Sequence, residues 1–247
     1  MHGYDVVDPT KLNPELGDEA DFFSLAHEIK KHHMGWLQDI IPNHMAFDHD
    51  NGMLMDVLEI GQASTYYNFF DIDWEHAYET MQGRLLAPFL GKLYGESIND
   101  REIQVKYSDA GFLVHYYDWK FPLRMESYAR IFSLNLDQLK KRLGSDHPNY
   151  IKFMGMLYVL QAFPSQELPS ERYDQRKFAK RMLWELYQGE REIKRFIDRN
   201  LDELNGKRES RTPNLLDELL FDQFFRLSFW KVASEEVNYR RFFNINE

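Results

Sequence analysis

The sequence predicts an α/β chain with a long helical second half, on three observations. Around 17–41 a helical pattern runs into a short apolar segment. Around 102–117 two alternating segments flank a tight turn. From 131 to 236 apolar residues recur at helical spacing almost without interruption.

The first observation rests on Gly17-Asp18, which opens a helix whose Phe22, Phe23, Leu25, Ala26 and Ile29 would face a core. Met34-Gly-Trp-Leu-Gln-Asp-Ile-Ile41 follows, with few charges, as expected for a strand covered on both faces. Pro42 ends it and leaves Asn43 and His44 at its carboxyl end, where a parallel β/α barrel binds substrate. A helix feeding a parallel strand is one βα repeat of a larger barrel.

Glu102-Ile-Gln-Val-Lys-Tyr107 and Phe112-Leu-Val-His-Tyr-Tyr117 alternate, and Ser108-Asp-Ala-Gly111 joins them as a β-hairpin. Downstream, Leu136 to Leu143 predicts a helix closed by Gly144. Tyr150 to Gln161 predicts another, with Tyr150, Phe153, Met154, Leu157 and Leu160 on one side and Phe163-Pro164 stopping it. Arg176 to Leu204 continues the pattern through Phe178, Met182, Leu186, Ile193, Ile197, Leu201 and Leu204, with a Glu190/Lys194 pair on the wet face. Thr212-Pro213 starts a last helix carrying Leu216, Leu220, Phe224 and Leu227.

Composition narrows the function. The 247 residues are 43% hydrophobic and 28% charged, enough for a real core and unlike a disordered chain. Forty acidic residues against thirty basic give a net charge of −10, which argues against nucleic acid or an anionic membrane as partner. No apolar run is long enough to span a membrane, and Met-His-Gly-Tyr-Asp has neither the basic nor the apolar region of a signal peptide. With no cysteine there is no disulfide or thiolate chemistry. The glycines form neither a dinucleotide fingerprint nor a phosphate loop, so no cofactor is expected. No metal is expected either: His27, His32, His33, His44, Asp48, His49 and Asp50 form no H-E-x-x-H, no Cys joins them, and His27 and His32, five apart, fall off the one helix face that paired ligands need.

The motifs are more specific. His2-Gly-Tyr-Asp-Val-Val-Asp8 with Leu12-Asn-Pro-Glu-Leu-Gly17, followed by Asp39-Ile-Ile-Pro-Asn-His44, resembles the second and third strand regions of the α-amylase family of glycoside hydrolases. Phe69-Phe-Asp-Ile-Asp-Trp74, Pro88-Phe-Leu-Gly91, Tyr116-Tyr-Asp118 with Phe121-Pro-Leu123, and above all Asn238-Tyr-Arg-Arg-Phe-Phe-Asn-Ile-Asn246 are similar to the maltooligosyltrehalose synthase branch of that family. Asn244 departs from the branch, which usually carries Asp there.

That resemblance implies a partial (β/α)8 TIM-barrel piece at 1–45, an insert over the active site at 46–130, a large all-helical insert at 131–236 and a return segment at 237–247. It implies an intramolecular transglucosylation, in which the reducing-end α-1,4 linkage of a maltooligosaccharide becomes an α,α-1,1 linkage. The partners implied are an α-1,4-glucan substrate and the rest of the parent barrel, in the cytoplasm. Retention needs two closely spaced carboxylates. In the family these lie after the Asn-Tyr-Arg-Arg segment, and here that places them beyond Glu247. No catalytic residue is therefore expected within this chain, which is expected to be inactive alone. The alternatives are an α-amylase-type hydrolase and a non-catalytic glucan-binding or scaffold domain.

By the same resemblance, Tyr4 stacks on the glucose at the cleavage point with His2 nearby, and His44 hydrogen-bonds a hydroxyl of that sugar. Asn43 orients the loop, and Arg240 and Arg241 contact sugar or bridge to barrel acids. Asp5, Asp8 and Asp39 read as structural carboxylates near the site, Asp39 as a buried one within the strand. Most of the aromatic residues read as core.

Overall fold

The computed structural model describes residues 4–42, 44–162, 169–206, 214–233 and 236–239. The chain divides into two compact units, residues 1–52 with 241–247 and residues 53–240.

In the first unit, helix α1 (Glu19–Lys31) starts where the sequence places it. Asp18 accepts the Asp21 amide at 3.0 Å, and Asp21 reciprocates by accepting the Asp18 amide at 3.1 Å, forming a capping box. The apolar face of α1 does not enter a core: none of its residues is buried. Nor does the segment 34–41 form the buried strand its composition suggests; it has no ladder partner and is exposed along nearly its whole length. Leu37 is 98% exposed and Ile40 68%. A strand exists only where a neighbour takes its backbone hydrogen bonds, and among the described residues of this unit there is none. Asp39 is accordingly exposed rather than buried. The run touches α1 through Trp36, whose ring meets Phe22 edge-on at 5.7 Å, and through the Met34 amide, which donates to the Ile29 carbonyl at 3.0 Å.

The second unit holds the core. Helix α2 (Gly52–Ile60) is followed by a strand, β1 (Leu85–Leu90), and helix α3 (Tyr94–Asn99). Strands β2 (Ile103–Ser108), β3 (Gly111–Tyr116) and β4 (Trp119–Pro122) form an antiparallel meander in that order. The predicted hairpin is there, in the register Val105 opposite Val114 and Ser108 opposite Gly111. Gly111 has φ +101°, and its neighbour Phe112 donates its amide to the buried Tyr128 hydroxyl at 3.0 Å.

Helices α4 (Tyr128–Ser133), α5 (Leu136–Leu143), α6 (Pro148–Gln161), α7 (Pro169–Gly189) and α8 (Arg191–Leu204) follow. Gly144, φ +85°, closes α5 as predicted, and Tyr150, Phe153, Leu157 and Leu160 are the buried stripe of α6. Phe132 meets Phe153 at 5.4 Å, and Phe153 meets Phe196 at 5.7 Å, both edge-on, so three helices share one aromatic core. Phe112 joins it from the hairpin, 5.2 Å from Phe132.

Four expectations are corrected here. The pattern 176–204 is two helices, broken where Glu190 caps α8 by accepting the Glu192 amide. Lys194 therefore pairs with Asp198 at 2.7 Å and with the Tyr187 hydroxyl, not with the Glu190 side chain. On α7 the buried positions are Arg176, Ala179, Leu183 and Leu186, while Phe178 points to solvent. Finally, the last helix, α9 (Leu215–Phe221), is short. Phe224 and Leu227 lie beyond it, and strand β5 (Phe225–Phe229) runs parallel to β1 before a final turn of helix, α10 (Trp230–Ala233). The register shifts by one residue between Ala87 and Leu90, around Pro88, which has no amide hydrogen to give the ladder. Phe163-Pro164 and Thr212-Pro213 lie outside the described residues.

Candidate functional site

In the first unit the chain brings two motifs together. The Ala46 amide donates to the Val6 carbonyl at 2.9 Å, and His44 Nε2 lies 3.9 Å from Asp5 Oδ1. The His44 side chain is 14% exposed and that of Asp5 59%, so the imidazole is the sheltered member. Tyr4, beside them in sequence, is 52% exposed. His2, Asn43, Arg240 and Arg241 lie outside the described residues. So does Glu247, the position after which the catalytic carboxylates are expected.

Asp8 is occupied locally. Its carboxylate accepts the Thr10 amide at 2.9 Å and the Thr10 hydroxyl at 2.6 Å, and Lys11 lies 3.0 Å away. The Thr10 hydroxyl, more than any other contact, holds the carboxyl down at about 2. Asp48, His49 and Asp50 place three possible ligand atoms within 4.8 Å of one another. The Asp48 carboxylate there also accepts the Asp50 amide at 2.9 Å, the geometry of an Asx turn ahead of α2.

Within the second unit the motif beginning at Asn238 is anchored through its first side chain. Asn238 is 7% exposed; its Oδ1 accepts the Leu86 amide at 2.9 Å, and its Nδ2 donates to the carbonyls of Asp73 at 2.7 Å and Arg84 at 2.8 Å. Its own carbonyl accepts the Asp73 amide at 2.7 Å, and Tyr239 bridges to Ile72. An amide side chain can accept from one backbone group and donate to two others at the same time. The motif could be quoted from sequence, but its tie to 72–86 could not, because nothing local marks a partner so distant.

Sequence reasoning also missed a buried charge cluster. Lys180 of α7 reaches Glu59 of α2 at 2.6 Å, and Arg176, one turn earlier, reaches Glu126 at 2.8 Å. Burial outweighs Lys180 and pushes the Glu59 carboxyl up. The signal that could have found it was Arg176 at a core-facing position of an apolar stripe.

These observations fit what comparison with known proteins finds. The α-amylase catalytic domain matches residues 1–139, more than half of the chain, and the chain belongs to that family. A "Putative maltooligosyl trehalose synthase" of Mycobacterium tuberculosis is 41% identical over 92 residues, 36% of this chain and 12% of the relative. A solved maltooligosyl trehalose synthase superposes with a TM-score of 0.56 at 22% identity, covering 99% of this chain and 21% of its own. The maltooligosyltrehalose synthase of Arthrobacter ramosus gives 0.52 at 23% identity, covering 99% and 20%. The two structures speak for the fold alone. The chain spans 12% of the length of the curated relatives it matches. No helix among the described residues is long and apolar enough to cross a membrane.

Proposed function

We propose that this chain is a substrate-binding part of an enzyme that converts the reducing-end α-1,4 linkage of a maltooligosaccharide into an α,α-1,1 linkage by retaining intramolecular transglucosylation. Residues 1–45 are its barrel portion, 46–130 an insert over the active site, 131–236 a helical insert and 237–247 the return toward the barrel. Tyr4 and His44 hold the glucose at the reacting bond, with His2 beside the ring and Asn43 shaping the loop. Arg240 and Arg241 reach the sugar or the barrel acids, and Asp5 and Asp8 support the site. The nucleophile and the general acid/base are supplied from beyond Glu247, in the cytoplasm and without an organic cofactor.

The observation that carries this reading is the Val6–Ala46 hydrogen bond with His44 against Asp5. It brings side by side the two motifs that a sugar subsite of this family needs together, although a helix separates them in sequence.

The test is a chimera in which residues 1–247 replace the aligned 21% of the solved maltooligosyl trehalose synthase, incubated with maltohexaose. After circular dichroism verifies folding, loss of reducing ends with the anomeric proton signal of an α,α-1,1 linkage is the expected result. Release of reducing sugars only would favour the hydrolase. The chain by itself should leave maltohexaose unchanged, and turnover by it would locate catalytic acids within 1–247.

A further inference from the structure

Residues 66–78 carry six aromatic side chains in thirteen positions, Tyr66, Tyr67, Phe69, Phe70, Trp74 and Tyr78, interleaved with Asp71, Asp73 and Glu75. The core absorbs few of them. Phe69 is 64% exposed and Tyr78 57%, while Tyr66, Tyr67 and Trp74 are half-buried. Adjacent rings left in water are costly to a loop that has no use for them.

The rings are nevertheless held in place. Tyr67 stacks on Trp74 at 5.2 Å with the planes 18° apart, and Tyr66 meets Phe69 edge-on at 5.3 Å. The backbone beneath is tied at Trp74, whose carbonyl accepts the Gly83 amide at 2.9 Å, and at Asp73 by the bonds of both its backbone groups to Asn238. His76 Nδ1 accepts the Tyr78 amide at 3.1 Å. The surface is therefore ordered before any ligand arrives, which lowers the entropic cost of binding.

The chemistry selects the ligand. Ring faces suit the C–H faces of pyranoses, and the exposed carboxylates of Asp71 and Glu75 suit hydroxyl donors. The same carboxylates, on a chain of net charge −10, repel polyanions. Asp71, Asp73 and Glu75 among the rings argue against an apolar protein partner, because the cores of protein interfaces are depleted of carboxylates.

We propose that residues 66–78 form a binding surface for the body of an α-1,4-glucan chain, with the faces of Phe69 and Tyr78 as its platforms. This rests on the glucan reading above and adds to it a second set of sugar contacts besides Tyr4 and His44.

The test measures maltoheptaose binding to the 247-residue chain by calorimetry and by tryptophan fluorescence, with Trp74 as the reporter in the loop. The double variant Phe69→Ala/Tyr78→Ala should raise the Kd about tenfold, as loss of two stacking platforms implies. Tyr158→Ala, which removes an exposed ring from α6, should leave it within about twofold. Cellohexaose, with its flat β-1,4 chain, should bind more weakly than maltoheptaose. Circular dichroism checks that the variants fold. An unchanged Kd in the double variant, equal binding of cellohexaose, or no binding of maltoheptaose by the parent chain would each overturn the proposal. Failure of the enzyme reading is separate: it appears as a chimera that makes no non-reducing product while maltoheptaose still binds at the loop.

Discussion

Asn238 and Leu86 form a hydrogen bond at 2.9 Å across 152 residues of sequence, from the side-chain oxygen of one to the backbone amide of the other. The same side chain also serves the carbonyls of Asp73 and Arg84, so one residue satisfies three backbone groups that regular structure leaves over.

Asn238→Ala should therefore cost about 3 kcal/mol in the stability of the second unit, since backbone groups are left without partners away from water. Asn238→Asp should cost at least as much, because it removes both donors. Urea unfolding followed by tryptophan fluorescence measures either.

The buried pair Glu59–Lys180 predicts a pH effect. Burial raises the Glu59 carboxyl above its ordinary value of 4.5. Between that value and the raised one, the folded chain keeps a proton that the unfolded chain has released, so stability falls as pH rises through this window. Glu59→Gln should remove that part of the pH dependence of the urea midpoint. Lys180→Met alone should destabilise by about 3 kcal/mol, because it takes the ion-pair partner from a sheltered carboxylate and leaves only the more distant Arg176 to offset it.

Asp8 should titrate at about 2 in an NMR pH series. Its depressed carboxyl contributes stability above the ordinary value of 3.8 that is lost as pH falls toward about 2. Thr10→Val, which deletes the largest cause, should move the midpoint up toward 3.8.

Gly111→Ala should destabilise by about 2–3 kcal/mol, combining a left-handed φ of +101° with a methyl group driven into the Tyr128 hydroxyl. Thermal unfolding of the variant checks this. Adding Tyr128→Phe relieves the clash but leaves the Phe112 amide without its acceptor, so it should restore only part of the loss.

What the sequence made legible was local. The hairpin could be read because alternation and a two-residue Asp109-Ala110 connection are properties of neighbouring residues. The caps at Asp18 and Gly144 are local too. The strand β5 was hidden because Leu216, Leu220, Phe224 and Leu227 keep helical spacing across a break. That break is fixed from outside, where the Gln223 side chain accepts the Arg124 amide at 2.8 Å and Arg124 donates to the Asp222 carbonyl. The run 34–41 failed in the opposite sense, since its apolar composition suits a strand and a strand is a relation between segments. At the candidate site, the family resemblance named His44 and Asp5, but only folding set them 3.9 Å apart. The ring cluster at 66–78 was partly visible as a motif and hidden as a surface, because composition alone assigned aromatic side chains to the core.

The pairing of β1 with β5 has a kinetic meaning. Leu85 and Phe225 lie opposite each other, with the meander and helices α3 to α9 strung between them. The hydrogen bonds within the hairpin and within each helix of that excursion are short in sequence and form on the microsecond scale, whereas the two strands meet only after a very long loop has closed. Secondary structure should consequently accumulate before the parallel ladder zips shut, and the ladder, rather than the helices, sets the pace at which the second unit folds.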